Sequence, residues 1–204
     1  MTLIEVSVVV VILAVLACLL LPALATARKR AQLIYCNNCL KQIGLGFRIW
    51  EGDHTNLYPM SLSTNLGGTL EYVASGETFR HFQVMSNELA TPIVLICPAD
   101  VRPRAKDFGS TLSNTNISYF VGVDADDSRP QMALSGDRNI IGGTKLGNGI
   151  LEITTNQLVG WSSEMHNGVG NIGFTDGSVQ TVNATRLAEL FRQTGLATNR
   201  LAIP

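Results

Sequence analysis

The chain begins with a long apolar segment. From Val6 to Ala27 it reads VSVVVVILAVLACLLLPALATA and contains no Lys, Arg, Asp, Glu or His. A helix rises about 1.5 Å per residue, and a bilayer core is about 30 Å thick, so a helix of this length can cross it. The pattern therefore predicts a membrane-spanning helix, with Pro22 as a point of kinking or local melting because proline lacks the backbone donor.

The helical pattern continues beyond this segment. Apolar residues recur at steps of three and four, which indicates a helix that packs one face on a domain. These residues are Leu33, Ile34, Leu40, Ile43, Phe47 and Trp50. Turn-forming residues at Glu51-Gly52-Asp53 predict the end of the helix. One continuous helix of about 50 residues would be about 75 Å long.

The rest of the chain predicts short elements. Residues 53–80 are rich in Gly, Ser, Thr and Asn and indicate an irregular loop. We expect a helix over 83–89, a strand over 93–97, a helix over 184–194 and a loop over 199–204. The remaining apolar stretches have the spacing of an antiparallel meander; they are 117–123, 131–135, 138–141, 157–161, 171–174 and 178–182. The predicted fold class is α+β, a long amino-terminal helix packed on a small antiparallel sheet.

Composition agrees with one apolar helix and one modest domain. The chain has 204 residues, 46% of them hydrophobic, and a formal net charge of -1. We divide it into residues 1–27, the apolar half of the helix; 28–52, its amphipathic half; and 53–204, a globular domain large enough for its own core. The near-neutral charge gives no indication of nucleic-acid binding, which normally requires a basic face.

Glu5 is the one charged residue between positions 1 and 27. A carboxylate near the end of an apolar helix is costly in hydrocarbon and needs a specific partner. The nearest candidate is a free amine at Met1, either of the same chain or of an identical neighbour packed one step away. This pairing favours an assembling subunit over a simple membrane anchor.

The segment MTLIEV, followed by an aliphatic helix with Pro22, resembles the amino terminus of mature type IV pilins and of type II secretion pseudopilins. The resemblance implies that a prepilin peptidase removes a basic leader and that Met1 is then N-methylated. Met1 departs from the usual Phe, so it is either the mature first residue or an initiator. Basic residues next to a span favour the cytoplasmic side, so the run Arg28-Lys29-Arg30 alone would keep the soluble part in the cytoplasm. A basic leader that is later removed would instead hold the amino terminus in the cytoplasm. An uncleaved signal anchor is the alternative.

A second resemblance covers much of the soluble part. CNNCLKQIGLGFRIW, SNELATPIVLICPAD and HNGVGNIGFTDGSV are similar to a bacterial pilin-like group with a carboxyl-terminal H-x9-D-G motif, here His166, Asp176 and Gly177. Histidine with a carboxylate is a possible general base. However, no G-x-S-x-G elbow accompanies the pair. We expect Thr175-Asp176-Gly177-Ser178 to form a tight turn that His166 braces, and no enzyme activity.

Two further groups of residues could bind or cross-link. Asp124, Asp126 and Asp127 are a weak Ca²⁺ candidate, without the glycine and distal Glu of an EF-hand, and a solvated acidic turn is the alternative. No other cofactor is expected. Cys18, in the apolar helix, is expected to be buried.

Three cysteines remain for the exported part, where a disulfide is possible. Cys97 could pair with Cys36 or with Cys39, and the resemblance to the pilin-like group favours Cys36. Cys36-x-x-Cys39 without a second such pair is weak evidence for a redox or zinc site.

The resemblance implies a structural function. The chain would lie in the inner membrane and then assemble with identical subunits, through the pilus assembly machinery, into a helical filament at the cell surface. The alternatives are a pseudopilin of a secretion system, a membrane-anchored binding module that never polymerises and, more remotely, a hydrolase built on His166.

Overall fold

The computed structural model describes residues 2–204. One helix, α1, runs from Leu3 to Asp53, and its carboxyl-terminal half packs on a seven-stranded antiparallel sheet. This is the α+β, pilin-like arrangement that the sequence predicts. The end of α1 lies in the predicted turn, where the backbone N–H of His54 donates to the Glu51 carbonyl at 3.0 Å.

Of the two effects expected at Pro22, kinking or local melting of α1, local melting does not occur in the single subunit. The helix continues through Pro22, and the Thr26 hydroxyl donates to the Pro22 carbonyl at 3.1 Å. Proline removes only one backbone donor from the ladder, so the turns on either side can keep their own hydrogen bonds.

The second half of α1 buries most of the predicted stripe. Leu40, Ile43, Phe47 and Trp50 are buried, whereas Ile34 remains 62% exposed. Cys36 and Cys39 of the same segment are buried in the core, together with Gly46. A Cβ at Gly46 would lie 2.9 Å from a Leu89 methyl carbon, so glycine allows α1 to approach the following helices closely.

The elements after α1 are short. The α-helices are α2 (Phe79–Gln83), α3 (Ser86–Leu89) and α4 (Ala184–Gln193), and 3-10 turns occupy Pro59–Ser61, Thr64–Leu66, Leu70–Val73, Pro92–Leu95 and Asn114–Asn116. The strands are β1 (Tyr119–Gly122), β2 (Ala133–Asp137), β3 (Ile140–Gly142), β4 (Thr144–Lys145), β5 (Ile150–Thr154), β6 (Val159–Trp161), β7 (Val169–Phe174), β8 (Val179–Asn183) and β9 (Thr198–Ala202).

The large sheet separates two apolar layers. Its order is β4-β5-β9-β1-β2-β7-β8, and β3 pairs with β6 in a second, two-stranded sheet. One core cluster lies between α1 and the sheet and includes Phe47 and Tyr119. The other lies under α4 and includes Phe120 and Leu187. Tyr119 and Phe120 are successive residues of β1, so they point to opposite faces of the sheet.

Three predictions of secondary structure are corrected, and one strand is added. The helix expected over 83–89 is divided into α2 and α3. The strand expected over 93–97 begins as a 3-10 turn, because Pro92 opens it and the Thr91 hydroxyl caps it by accepting from Ile93 N at 3.4 Å. The tail expected to be a loop contains β9, which lies between β5 and β1. β5 itself was not predicted.

Candidate functional site

The amino-terminal half of α1 is an exposed apolar surface. α1 is the one helix within residues 2–204 whose length and composition would allow it to cross a membrane. Its large apolar side chains from Leu3 to Leu24 are about half exposed or more, and Cys18, which we expected to be buried, is also exposed. Burying such a surface is favourable by about 25 cal/mol for each Å² removed from water. This half of the helix is therefore suited to a lipid or protein environment.

Glu5 caps its own helix. The Thr2 backbone N–H donates to Glu5 Oε2 at 2.7 Å, and the Glu5 backbone N–H donates to the Thr2 hydroxyl at 3.4 Å. This reciprocal pair is a capping box, in which Glu or Gln occupies the third position. The predicted partner of Glu5, the Met1 amine, lies outside the described residues.

Exposed apolar side chains also occur on the domain half of α1. Ile34, Leu45 and Ile49 are 62%, 59% and 46% exposed, although neighbouring positions on the same helix are fully buried. The basic run Arg28-Lys29-Arg30 separates them from the apolar half of the same continuous helix. A second exposed apolar surface therefore lies beyond the membrane-spanning length.

A disulfide joins Cys36 of α1 to Cys97 after the Pro92–Leu95 turn. This is the pairing that the resemblance implied. Both residues are fully buried, and the bridge links positions 61 residues apart. Cys39 remains a free, buried thiol. Burial raises the pKa of Cys39, and the neighbouring hydroxyls of Tyr119 and Tyr35 partly oppose that effect.

His166 lies against this disulfide and not against Asp176. Its Nε2 is 3.3 Å from Cys97 Sγ and 3.7 Å from Asp137 Oδ2. Within residues 2–204, His166 and Asp176 share no hydrogen bond or ion pair. The motif therefore divides into two separate structural positions, and the expected direct bracing of the turn by His166 is not observed.

Asp137 is the residue of this cluster that the sequence did not reveal. It ends β2 opposite Tyr119 and is fully buried. Its Oδ2 accepts from the backbone and side-chain amides of Asn171, at 2.7 and 3.2 Å. Its Oδ1 has no hydrogen-bond partner within the described residues. The sequence signal for a buried carboxylate is an Asp that continues an apolar strand. Residues 136 and 137, however, lie between the predicted strands 131–135 and 138–141.

Burial determines the protonation of this pair. It raises the pKa of Asp137 to about 7, although the two Asn171 amides oppose the effect. Burial also lowers the pKa of His166 below its usual value. Both shifts favour the neutral forms, so the pair is not a strong ion pair near neutral pH.

Asp176 and Gly177 form the predicted turn between β7 and β8. Asp176 Oδ1 accepts from the Ser178 backbone N–H at 2.7 Å, and Gly177 has a φ of +83°, which favours glycine. The turn is further held by Arg48 of α1, whose guanidinium donates to the Thr175 carbonyl at 2.7 Å. Asp176 therefore has a local structural contact.

Replacing Asp176 with alanine should lower the free energy of unfolding by about 1 kcal/mol, because one exposed side-chain to backbone hydrogen bond is lost. Denaturant unfolding of the full chain in detergent would measure the change. Asp176→Asn, which retains an acceptor oxygen, is the control and should cost less. Equal losses in the two variants would contradict the assigned contact.

The three acidic residues of the calcium candidate have separate partners. Asp124 pairs with the Arg200 guanidinium, Asp127 pairs with Arg48 at 3.3 Å, and Asp126 accepts from the Ser128 backbone N–H at 2.9 Å. Within residues 2–204, they do not form a cluster of three converging ligand atoms. The arrangement fits the solvated acidic turn better than a calcium loop.

Besides a cavity of about 320 Å³ beside Asp124 and Asp126, two cavities lie near polar residues. The larger, about 440 Å³, lies beside β3 and β5 and is lined in part by Arg138, Lys145 and Glu164. The second, about 290 Å³, lies between α1 and the loop after Cys97, and His166 lines it together with Lys29 and Arg30. The second cavity therefore connects solvent to the histidine beside the disulfide.

Comparisons of the chain with protein-family models, curated proteins and solved structures found no match.

Proposed function

We propose that this protein is a structural subunit that self-assembles into a helical, type IV pilus-like filament at the cell surface. The observation that carries the proposal is the exposed apolar half of α1, with Glu5 as its one charge among residues 2–27. A membrane anchor alone would not require a carboxylate near the end of the span, where charge is costly.

The architecture supports the proposal in a second way. The disulfide and the large sheet hold the domain on one face of α1, and Ile34, Leu45 and Ile49 remain exposed elsewhere on it. Identical subunits could bury this surface together with the amino-terminal half. The helix would then exchange contact with lipid for contact with other copies of α1.

The proposed route starts in the inner membrane. A prepilin peptidase would expose the amine of Met1, and the pilus assembly machinery would transfer the subunit from the membrane into the filament. The apolar half of α1 would occupy the bilayer before assembly and the filament core afterwards. The Glu5 carboxylate would then accept a charge-assisted hydrogen bond from the residue 1 amine of an adjacent subunit.

Electron microscopy of sheared cell-surface material, combined with mass spectrometry, tests the proposal. Long filaments that contain this chain as the main component are the expected result. Short assemblies, together with a secretion defect on deletion, would favour a pseudopilin instead. Membrane-bound monomers without filaments would favour an anchored binding module.

Glu5→Gln should reduce the rate and yield of filament assembly severalfold. The substitution retains the capping box, because Gln also occupies that position in such boxes, but it removes the charge that would pair with the neighbouring amine. Filament yield relative to total membrane-bound subunit is the measurement.

Ser7→Ala provides a matched control, because Ser7 lies on the same helix and only donates to the Ile4 carbonyl at 2.8 Å. Its assembly should be unchanged. If Glu5→Gln assembled as rapidly and as fully as Ser7→Ala, Glu5 would have no charge-dependent role in assembly.

A further inference from the structure

A set of metal-binding side chains meets beneath the cavity beside α1. Cys36 Sγ, Cys97 Sγ and one His166 ring nitrogen lie within 4.8 Å of one another, although they come from three distant parts of the sequence. In the oxidised protein the two sulfur atoms are joined. Breaking that bond would release two buried sulfur ligands next to an imidazole.

The distances around His166 are close to those between neighbouring ligands in tetrahedral coordination. Zinc bonds of about 2.3 Å to sulfur and 2.0–2.1 Å to nitrogen or oxygen place neighbouring ligand atoms roughly 3.4–3.8 Å apart. The His166 Nε2 atom is 3.3 Å from Cys97 Sγ and 3.7 Å from Asp137 Oδ2. One ring nitrogen therefore already lies at nearly the required distance from a sulfur, with a carboxylate oxygen close by.

Asp137 lies beside the three ligand atoms, with its Oδ2 3.7 Å from His166 Nε2, but it does not belong to the converging set. The carboxylate is fully buried, and its Oδ1 has no hydrogen-bond partner within residues 2–204. Leaving a buried carboxylate oxygen unsatisfied is costly. The other oxygen, Oδ2, already accepts from the two amides of Asn171, so Oδ1 is the oxygen left to accept from a water molecule on the metal.

The surroundings of Cys97 also suit a metal thiolate. The backbone N–H of Ala99 donates to Cys97 Sγ at 3.4 Å. The cavity that reaches His166 offers an entry path, and Lys29 and Arg30 line its opening. Two thiolates on a divalent cation, together with the neighbouring Asp137 carboxylate, carry a net charge of -1, which these basic side chains would partly balance.

We propose that the reduced domain binds one Zn²⁺ ion through Cys36, Cys97 and His166, with a water molecule as the fourth ligand, and that the disulfide and the metal site are alternative states of the same cluster. A dithiol or phosphine reductant first converts the disulfide to two thiols and is itself oxidised. Zn²⁺ then bonds to both sulfur atoms, the His166 nitrogen and a water molecule, and the two thiol protons pass to solvent. The site is independent of filament assembly.

Cysteine spacing would have indicated a different site. Cys36-x-x-Cys39 is the zinc-like pattern in the sequence, but the Cys39 thiol is not one of the three converging ligand atoms. It lies instead beside Tyr119 and Tyr35. Cys39 is therefore a matched control, because it is buried and on the same helix but is not a ligand in the proposal.

Cobalt binding to the full chain in detergent tests the site. Metal-free protein is prepared oxidised, or reduced with a phosphine that is then removed under nitrogen, and is titrated with Co²⁺. The reduced protein should bind one Co²⁺, with the intense visible bands of tetrahedral cobalt and a thiolate charge-transfer band in the near ultraviolet. Zn²⁺ should abolish both signals by displacement, and the oxidised protein should show neither.

His166→Ala should weaken Co²⁺ binding at least about 100-fold. Loss of a residue that only supports a ligand weakens metal binding by about 10- to 100-fold, so an effect of this size indicates a direct ligand. Cys39→Ser should retain wild-type binding. Circular dichroism confirms that each reduced variant is folded. X-ray absorption of the reduced wild-type protein with Zn²⁺ provides a measurement that needs no variant, with two sulfur atoms expected at about 2.3 Å.

Several results would overturn the proposal. These are a folded, reduced protein that shows no tetrahedral cobalt spectrum, an oxidised protein that binds equally well, and loss of binding in Cys39→Ser. Zinc with fewer than two sulfur neighbours in the absorption spectrum would do the same.

Discussion

Replacing Cys36 and Cys97 together with alanine should lower the free energy of unfolding by about 4 kcal/mol. The bridge closes a loop with a sequence separation of 61 residues, and in the chain-entropy description a loop of that length restricts the unfolded state by about this amount. The bridge is also fully buried, so the variant loses packing between α1 and the Pro92–Leu95 turn. A loss of this size is a large part of the stability of an ordinary domain.

Denaturant unfolding of the full chain in detergent, followed by tryptophan fluorescence, would measure the change. Both tryptophans, Trp50 and Trp161, are buried in the folded domain and so report on it. A chelator in all samples prevents metal binding from contributing.

Cys39→Ala is the matched control, because it removes a buried sulfur from the same helix without opening a loop. Its loss should be well below that of the double variant. Equal losses of unfolding free energy in the double variant and in Cys39→Ala would mean that the bridge stabilises the domain by packing alone and not by closing the loop. Peptide mapping without reduction should recover Cys36 linked to Cys97.

Acidification from about pH 6.5 to pH 4 should remove about 3 kcal/mol of stability through His81 alone. His81 is fully buried, and that burial lowers its pKa from 6.5 to about 4. One ring nitrogen contacts the Thr69 hydroxyl at 2.7 Å, while Nε2 has no partner within the described residues. A proton on Nε2 would therefore be buried without an acceptor.

The sign follows from proton linkage. Above pH 6.5 the imidazole is neutral in both states, so the folded protein has its full stability. Between pH 6.5 and 4 the unfolded chain binds a proton that the folded state resists, so stability falls with falling pH. A tenfold change in proton affinity is worth about 1.4 kcal/mol, which gives the value of about 3 kcal/mol.

The difference in unfolding free energy between the wild type and His81→Gln isolates this contribution, because the other titrating groups are common to both proteins. The difference should change by about 3 kcal/mol across the interval in favour of the variant. Thr69→Val should retain most of the acid sensitivity, since burial is its cause. A difference that did not vary with pH would contradict the assignment.

The elements best predicted from the sequence were those with a strong local pattern. α1 ends at the predicted turn, and α4 covers Ala184–Gln193 against an expected 184–194, with the Asn183 side chain accepting from Arg186 N at 2.9 Å. The turn at Asp176 and Gly177 was likewise indicated by its residue types. In each case the determining interactions lie within a few residues of one another.

The errors lie where distant partners decide the structure. The tail becomes β9 because β5 and β1 provide hydrogen bonds on both sides, with Leu201 opposite Leu151 and Gly122. Nothing in the short tail itself identifies those neighbours. The strand expected over 93–97 has the right apolar residues, but Pro92 starts a 3-10 turn there, and only Leu95 O is linked to Ser118 N, at 2.9 Å.

The same distinction applies to the candidate sites. By its own composition the sequence determined the apolar helix, the isolated charge of Glu5 and the local turn at Asp176, because hydropathy and turn chemistry are read from neighbouring residues. The tertiary structure alone decided that His166 contacts Cys97 and Asp137. These three side chains come from separate loops and a strand, and only the packing of the sheet against α1 removes them from water together. That shared burial, which local sequence does not encode, fixes their protonation and their distances.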